Sequence, residues 1–177
     1  MNIVLFGLKG SGKTTFGKRL AKEMGCAFID TDRLIEEIYQ LNRQKKLTTC
    51  QIYQEVGPVA FRALEYEVVQ SLQDVQNSVI AVGGGAMMLY ENVDALSKQS
   101  HLIYLYFERE KLKKRVLSAH PLPAFLDPKD PEASFDKMYE EREEYYAKIK
   151  ANRIDVTDMS DDDVIDQIHK VAKHGKQ

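Results

Sequence analysis

Residues 7–14 read GLKGSGKT and match the phosphate-binding pattern G-x-x-x-x-G-K-[ST] at every fixed position. The apolar run 3–6 precedes the motif and a helical pattern follows it, which is the strand-loop-helix context that the motif requires. Glycines let successive backbone N–H groups turn inward around a polyphosphate, and the following helix presents its positive end. Lys13 can then reach the β- and γ-phosphates, and the Thr14 hydroxyl can be a ligand of Mg²⁺. The sequence therefore predicts a nucleoside triphosphate site.

Two carboxylates, Asp30 and Asp32, follow the second apolar run. Side chains two residues apart on a strand share a face, so both point the same way if the strand continues to Asp32. One carboxylate can then support Mg²⁺, while the other addresses an acceptor hydroxyl whose proton must be taken. The alternative is that these acids cap the next helix, residues 33–39, a position for which Asp32 is well suited.

Three glycines and two arginines are further candidates. Gly83, Gly84 and Gly85 end the third apolar run, and three glycines favour close approach of a ligand to backbone N–H groups that are free to donate. A tight turn alone would need only one or two. Arg62 lies three residues before Glu65 on a helical face, where an arginine is ordinarily solvated. Arg142 stands among four acids, for which local ion pairing is the ordinary explanation.

The elements that position these residues alternate between short apolar runs and helical patterns, which predicts a parallel sheet covered by helices. The expected strands are 2–6, 27–30, 78–82, 102–107 and 153–156. The helix 13–24 carries Phe16, Leu20 and Met24 on one buried stripe, with Gly25 at its left-handed end. Ser160 should cap the last helix, and capping accounts for the three acids behind it better than a metal site does.

Two stretches stand outside this alternation. Residues 33–75 form a long insertion that is rich in charge and helix formers. Residues 118–131 hold four of the five prolines and predict an exposed loop over the sheet edge, of the kind that serves as a lid. In a phosphate-loop fold both stretches can border the crevice outside the carboxyl ends of the strands.

Composition sets the remaining limits. The 177 residues are most simply one domain, and the net charge of −2 with mixed signs argues against a nucleic-acid partner. The two cysteines form no C-x-x-C pair and suit a reducing compartment. Neither a membrane-spanning run nor a signal peptide is recognisable, so we expect a cytoplasmic protein without a membrane partner.

Taken together, these residues resemble the shikimate kinase family over nearly the whole chain. The resemblance rests on the phosphate loop, Asp30-Thr31-Asp32, Phe61-Arg62 followed by Glu65, and Gly83-Gly84-Gly85, and it continues through Arg115, Pro121-Leu122 and Arg142. It implies a phosphate-loop NTPase of nucleoside-monophosphate-kinase type, a three-layer α/β/α fold with a five-stranded parallel sheet. It also implies transfer of the γ-phosphoryl group of ATP, with Mg²⁺, to the 3-hydroxyl of shikimate by a monomeric enzyme.

The resemblance also implies residue roles. ATP would contact Gly10, Ser11, Gly12, Lys13, Thr14, Thr15 and Arg115, and Mg²⁺ would lie near Thr14 and Asp30. Shikimate would contact Asp32, Arg62, Gly83, Gly84, Gly85 and Arg142. Within these sets, Lys13 and Asp32 are the expected catalytic groups. Arg62 and Arg142 would hold the carboxylate of shikimate, and Arg115 would border adenine. A small anion with hydroxyl groups calls for this mixture of guanidinium, carboxylate and amide groups.

The chain departs from the family at the lid, where the usual Arg-Pro-Leu-Leu is replaced by a segment with His120 in place of the arginine. We predict that His120 is catalytic in its cationic form, and the alternative is a solvated lid residue. Pro58 and Val59 are also unusual, since the family commonly has glutamate after this glycine.

Four other readings compete with this one. A gluconate-type or monophosphate kinase shares the loop and the sheet, although the Asp-Thr-Asp, Phe-Arg and triple-glycine set favours shikimate. A GTP-dependent switch would need an Asn-Lys-x-Asp motif, which does not occur, and a motor ATPase would need an acidic pair where Glu108 is followed by Arg109. A catalytically weakened family member that only binds nucleotide is the fourth reading, because of His120.

Overall fold

Five strands and seven helices alternate along residues 1–174, the part of the chain that the computed structural model describes. The strands are β1 (Asn2–Phe6), β2 (Ala27–Asp30), β3 (Ser78–Ala81), β4 (Ser100–Tyr106) and β5 (Asn152–Asp155). The helices are α1 (Lys13–Met24), α2 (Thr31–Arg43), α3 (Thr49–Ser71), α4 (Tyr90–Ser97), α5 (Arg109–Leu117), α6 (Pro131–Tyr146) and α7 (Asp161–His174), with one 3-10 turn at Ala86–Met88. The predicted strands agree with these bounds to within two residues.

The five strands form one parallel sheet in the order β2-β3-β1-β4-β5. β1 lies at the centre and is buried along its whole length, which explains its uninterrupted apolar sequence. In the register, Leu5 of β1 lies opposite Ala81 of β3 and Ile103 of β4. Because all strands run the same way, the segments after β1, β2 and β3 meet at one edge of the sheet.

The alternation of side chains along the strands produces two apolar layers, one on each face of the sheet. Ile3 and Leu5 pack on one face against α1 and α7, with Leu20 and Ile165 in the same cluster. Val4 and Phe6 face the opposite layer, whose members from the helices include Val69, Leu112, Phe135 and Tyr146. The predicted three-layer α/β/α fold is confirmed.

Helix α1 begins and ends where the sequence predicts. Phe16 and Leu20 are buried, and Gly25 ends the helix with a left-handed φ of 63°. The prediction for Met24 was wrong, because its side chain is 44% exposed at the last turn, beyond the reach of the sheet. Ser160 caps α7 as predicted, since its hydroxyl oxygen accepts a hydrogen bond of 3.2 Å from the Asp163 N–H.

The insertion 33–75 is almost wholly helical and has its own apolar cluster. α2 and α3 pack together through Ile35, Tyr39, Ile52, Phe61 and Val68. α3 bends at Gly57, whose φ of 80° and ψ of 170° interrupt the helix before Pro58 begins the second half. The bend leaves Val59 exposed and turns the face that carries Arg62 and Glu65 toward the sheet edge.

The proline-rich segment 118–131 is irregular, as predicted, but it is not exposed throughout. Residues 118–121 are exposed, whereas Pro123 and Leu126 are buried. The Leu126 N–H donates a hydrogen bond of 3.0 Å to the Pro123 carbonyl, so the middle of the segment is a turn anchored in the core. Within the described residues, no helix is long and apolar enough to cross a membrane.

Candidate active site

A cavity of about 350 Å³ opens at the carboxyl edge of the sheet. It is lined by most of the site residues that the sequence predicts, namely Gly10, Gly12, Lys13, Thr14, Thr15, Asp30, Asp32, Arg62, Gly83, Gly84, Gly85, Arg115 and Arg142. These residues come from the phosphate loop, from the ends of β2 and β3, and from α1, α2, α3, α5 and α6. Ser11 and His120 are the two predicted site residues that are not on its surface.

The phosphate loop wraps around the Lys13 side chain. Gly10 and Gly12 both have φ near 90°, a conformation that a side chain would strain, so the loop can curl with its N–H groups inward. The Lys13 ammonium donates hydrogen bonds of 2.9 Å to the carbonyls of Gly7 and Leu8. Burial lowers the pKa of Lys13 to about 8, and the nearby Asp32 charge opposes that change. The ammonium, held by two carbonyls on the cavity surface, is available to an anion.

Ser11 is enclosed within the phosphate loop. Its side chain is buried, and its hydroxyl has no hydrogen-bond partner in the described chain. Its N–H donates to the Leu8 carbonyl at 3.2 Å. The structure therefore places Ser11 inside the loop rather than on the cavity wall.

A pair of hard oxygen donors lies beside the loop. The Thr14 hydroxyl donates a hydrogen bond of 2.8 Å to one carboxylate oxygen of Asp30. No group of three or more His, Cys, Asp and Glu side chains that could hold a metal occurs in residues 1–174. Hydroxyl and carboxylate oxygens suit Mg²⁺, so these two residues fit a cation whose other ligands come from a bound polyphosphate or water.

Contrary to the prediction from the sequence, the two acids after β2 do not lie on one strand face. The strand ends at Asp30 and α2 begins at Thr31, so Asp32 lies on the first helical turn and not on the strand face. The helix cap is Asp30, whose carboxylate accepts a hydrogen bond of 3.1 Å from the Asp32 N–H. Asp32 still reaches the cavity. Burial raises its pKa and the Asp30 charge raises it further, while the Lys13 ammonium lowers it.

Each glycine after β3 makes room for one charged side chain. A methyl group at Gly83 would lie 2.6 Å from an Asp32 carboxylate oxygen, and one at Gly84 would lie 3.0 Å from the Arg142 guanidinium. At Gly85 the corresponding distance to the Arg62 guanidinium is 1.7 Å. The expectation of free N–H groups was wrong for Gly83, because its N–H donates to the Thr31 hydroxyl at 2.9 Å. The run therefore admits the charged side chains that line the cavity.

The two arginines differ in their surroundings. Arg62, whose side chain is 41% exposed, forms an ion pair with Glu65, which is only 4% exposed, and both residues line the cavity. Burial raises the pKa of Glu65, and the Arg62 charge opposes that change. Arg142 is 8% exposed and forms no ion pair with a carboxylate of residues 1–174. Local ion pairing therefore does not explain Arg142, although it was the ordinary expectation.

Arg115 and His120 lie toward the outer side of the site. Arg115 is exposed, lines the cavity and lies with its guanidinium carbon 5.7 Å from the centre of the Phe107 ring. Its side chain passes over the phosphate loop, 3.9 Å from the position of a methyl group at Gly10. His120 is exposed on the lid segment and is not among the cavity-lining residues.

Several cavity residues were not expected from the sequence. They are Lys9, Thr49, Cys50, Tyr53, Phe61 and Phe125. Tyr146 lies behind the cavity wall, where its buried hydroxyl donates to the Gly84 carbonyl. Lys9 could have been found from its place inside the loop motif, and Phe61 from its place before Arg62. No local pattern marks Phe125, because its position depends on how the lid segment is anchored.

The parallel sheet order, the phosphate loop and the adjoining cationic cavity define a phosphate-loop kinase that acts on a small molecule. The sequence model described as shikimate kinase matches residues 9–173. The chain belongs to the shikimate kinase family.

Individual relatives agree with this assignment. The shikimate kinase of Symbiobacterium thermophilum is 37% identical over 180 residues, covering 100% of this chain and 99% of that protein. The solved structure of shikimate kinase from Acinetobacter baumannii in complex with shikimate has a TM-score of 0.84 and 29% identity, covering 99% of this chain and 94% of that chain. A gluconokinase from Sinorhizobium meliloti has a TM-score of 0.61 and 17% identity, covering 97% of this chain and 91% of that chain, and shows the fold alone.

The buried ammonium of Lys13 predicts a pH dependence of nucleotide binding. In the free protein this lysine is charged below about pH 8 and loses its proton as the pH rises through 8. Bound phosphates favour the charged form, so ATP binding near pH 8 should take up about half a proton, and ATP affinity should fall above that pH. Calorimetry in two buffers of different ionisation enthalpy measures this uptake. Lys13→Arg keeps its charge and should take up none at this site, and equal uptake by both proteins would contradict the prediction.

Proposed function

We propose that the chain transfers the γ-phosphoryl group of ATP to the 3-hydroxyl of shikimate. The observation that carries the proposal is the buried Arg142 guanidinium, which faces the same cavity as the phosphate loop and lacks a carboxylate partner among residues 1–174. Burial lowers the pKa of Arg142, and the nearby Tyr146 and Glu65 groups oppose that change only in part, so an anionic ligand would stabilise the charge. The carboxylate of shikimate is such a ligand, and membership of the family supports this choice.

On the phosphate side, the loop residues would bind the polyphosphate through their N–H groups, with Lys13 between the β- and γ-phosphates. The contacts proposed for ATP are Gly10, Ser11, Gly12, Lys13, Thr14, Thr15 and Arg115, where Ser11 would contribute through the shape of the loop. Thr14 and Asp30 would hold Mg²⁺, which neutralises charge on the phosphate oxygens when it is bound. Arg115 would border the adenine ring.

On the acceptor side, Asp32 would accept the proton of the attacking hydroxyl group. The hydroxyl oxygen then forms its bond to the γ-phosphorus, the bond from phosphorus to the bridging oxygen of ADP breaks, and the proton stays on Asp32. Its raised pKa suits a group that must take up a proton. Arg62 and Arg142 would hold the carboxylate, and Gly83, Gly84 and Gly85 would let the ring approach the backbone.

The proposal also covers the lid, the cellular location of the enzyme and its oligomeric state. His120 would enter the site only if the exposed part of the lid moves over the cavity, which would also exclude water from the transfer. We propose a cytoplasmic enzyme that acts as a monomer on two small molecules. The competing proposal, a catalytically weakened nucleotide binder, is favoured only by the position of His120 outside the cavity lining.

A coupled assay with ATP and shikimate tests the activity, and Arg142→Met tests the acceptor site. We expect the KM for shikimate to rise at least about 30-fold, because a charged clamp on a carboxylate is lost. The kcat should change much less, since such a clamp binds the ground state and the transition state alike. The matched control is Arg33→Met, an exposed arginine outside the cavity, which should behave like the parent. If Arg142→Met changed only the affinity for ATP, Arg142 would not be the group that binds the carboxylate of shikimate.

Asp32→Asn tests the proton acceptor. An amide of the same shape cannot take the hydroxyl proton, so kcat should fall about 100-fold or more while ATP affinity changes little. Steady-state kinetics and direct nucleotide binding separate the two effects. Asp166→Asn, an exposed substitution on α7, is the control and should retain parent kinetics. A parent-like kcat in Asp32→Asn would exclude this carboxylate as the base.

His120 makes a separate prediction about pH. If its cationic form assists the transfer, kcat at saturating ATP and shikimate should fall as the pH rises above neutrality, because a neutral imidazole offers no positive charge to the phosphoryl group. Saturating ATP keeps Lys13 charged, so its titration does not interfere. His120→Arg should abolish the fall, since a guanidinium stays charged. Parallel pH profiles for the parent and His120→Arg would contradict the prediction and leave His120 as a solvated lid residue.

A further inference from the structure

The lid segment reaches the acceptor side of the cavity through one aromatic side chain, Phe125. The centre of its ring lies 5.4 Å from the guanidinium carbon of Arg142, and both residues line the cavity. At this distance the face of the ring attracts the guanidinium charge, and the attraction is stronger when both groups are desolvated. Arg142 is buried and forms no ion pair with a carboxylate of the described residues, so the ring is a direct contact to a desolvated charge.

Phe125 is carried by the anchored part of the segment rather than by its exposed part. Pro123 and Leu126 on either side are buried, and a hydrogen bond of 3.0 Å joins the Leu126 N–H to the Pro123 carbonyl. Leu126 belongs to the apolar cluster that covers the sheet, and Phe125 packs against the same cluster. The ring is therefore held by the core, independently of any motion of residues 118–121.

The contact between Phe125 and Arg142 leaves room for a ligand. A ring that stacks on a guanidinium occupies its face, while the N–H groups at the edge stay available for two parallel hydrogen bonds to a carboxylate. Close packing against Gly84, where a methyl group would lie 3.0 Å from Nη1, further limits how the guanidinium can turn. An arginine side chain otherwise has several rotatable bonds, and fixing it in advance lowers the entropic cost of binding.

We propose that Phe125 is a positioning residue, whose ring holds the Arg142 guanidinium in the orientation that binds the carboxylate of the acceptor. The proposal rests on the proposed function, in which Arg142 binds that carboxylate. Because coupling is reciprocal, a carboxylate on Arg142 also stabilises the anchored turn of the lid. Phe125 thus contributes to acceptor affinity and not to phosphoryl transfer.

Phe125→Leu removes the ring and keeps an apolar side chain. We expect the Kd and the KM for shikimate to rise roughly 5- to 30-fold, with the effect on KM rather than on kcat or the KM for ATP. Phe125→Tyr keeps a ring face and should stay within about threefold of the parent. The matched control is Phe107→Leu, which removes the ring beside Arg115 and should leave the KM for shikimate unchanged.

A double-mutant cycle separates positioning from general support of the fold. If Phe125 acts through Arg142, Phe125→Leu should weaken shikimate binding little further in the Arg142→Met background. Losses that simply add would overturn the proposal. Hydrogen exchange of residues 123–126 gives a second measurement: shikimate should slow it in the parent and much less in Phe125→Leu, and equal slowing in both would also overturn it.

The outcomes distinguish this proposal from the proposed function. If Arg142→Met binds shikimate as the parent does, the carboxylate clamp itself is wrong. If Arg142→Met loses affinity while Phe125→Leu binds like the parent, the clamp stands and the role of Phe125 is overturned. Thermal unfolding checks that the variants fold, and Phe125→Met takes the place of Phe125→Leu with the same expectations if the latter does not.

Discussion

Burial of positive charge beside one cavity is the constraint on which the rest of the structure depends. Lys13 and Arg142 both lose hydration there, and burial lowers the pKa of each. Neither forms an ion pair with a carboxylate in the described part of the chain: two loop carbonyls hold Lys13, and the Phe125 ring lies against Arg142. Each cation is more stable when an anion binds to it, and this is the physical basis on which we propose Lys13 for the phosphates and Arg142 for the carboxylate.

The backbone after β3 lets several charged side chains pack close together at the cavity. Asp32, Arg142 and Arg62 come from three different helices, and each occupies space that a side chain at position 83, 84 or 85 would fill. The parallel sheet brings these helices to one edge, because the central strand and its neighbours all end there. Tyr146 adds a hydrogen bond to the Gly84 carbonyl from beneath, so the glycine run is held from the core as well as exposed to the cavity.

Much of the fold and of the candidate site could be predicted because the signals were local. The phosphate loop, the left-handed Gly25 and the Ser160 cap each depend on a few adjacent residues, and the structure confirms where each lies. Prediction failed at one element boundary, where Asp30 and not Asp32 caps α2. It also failed where contacts between distant residues decided the outcome: the acids around Arg142 do not neutralise it, and the middle of the lid is buried.

The sequence by itself determined the parallel α/β fold, the nucleotide loop and the family, because motif spacing and hydrophobic periodicity act over short stretches of chain. Only the tertiary structure decided which charges are buried together, which glycine admits which side chain, and that Phe125 reaches Arg142. These facts depend on contacts between residues far apart in the chain, and desolvation follows from the packing of all of them at once.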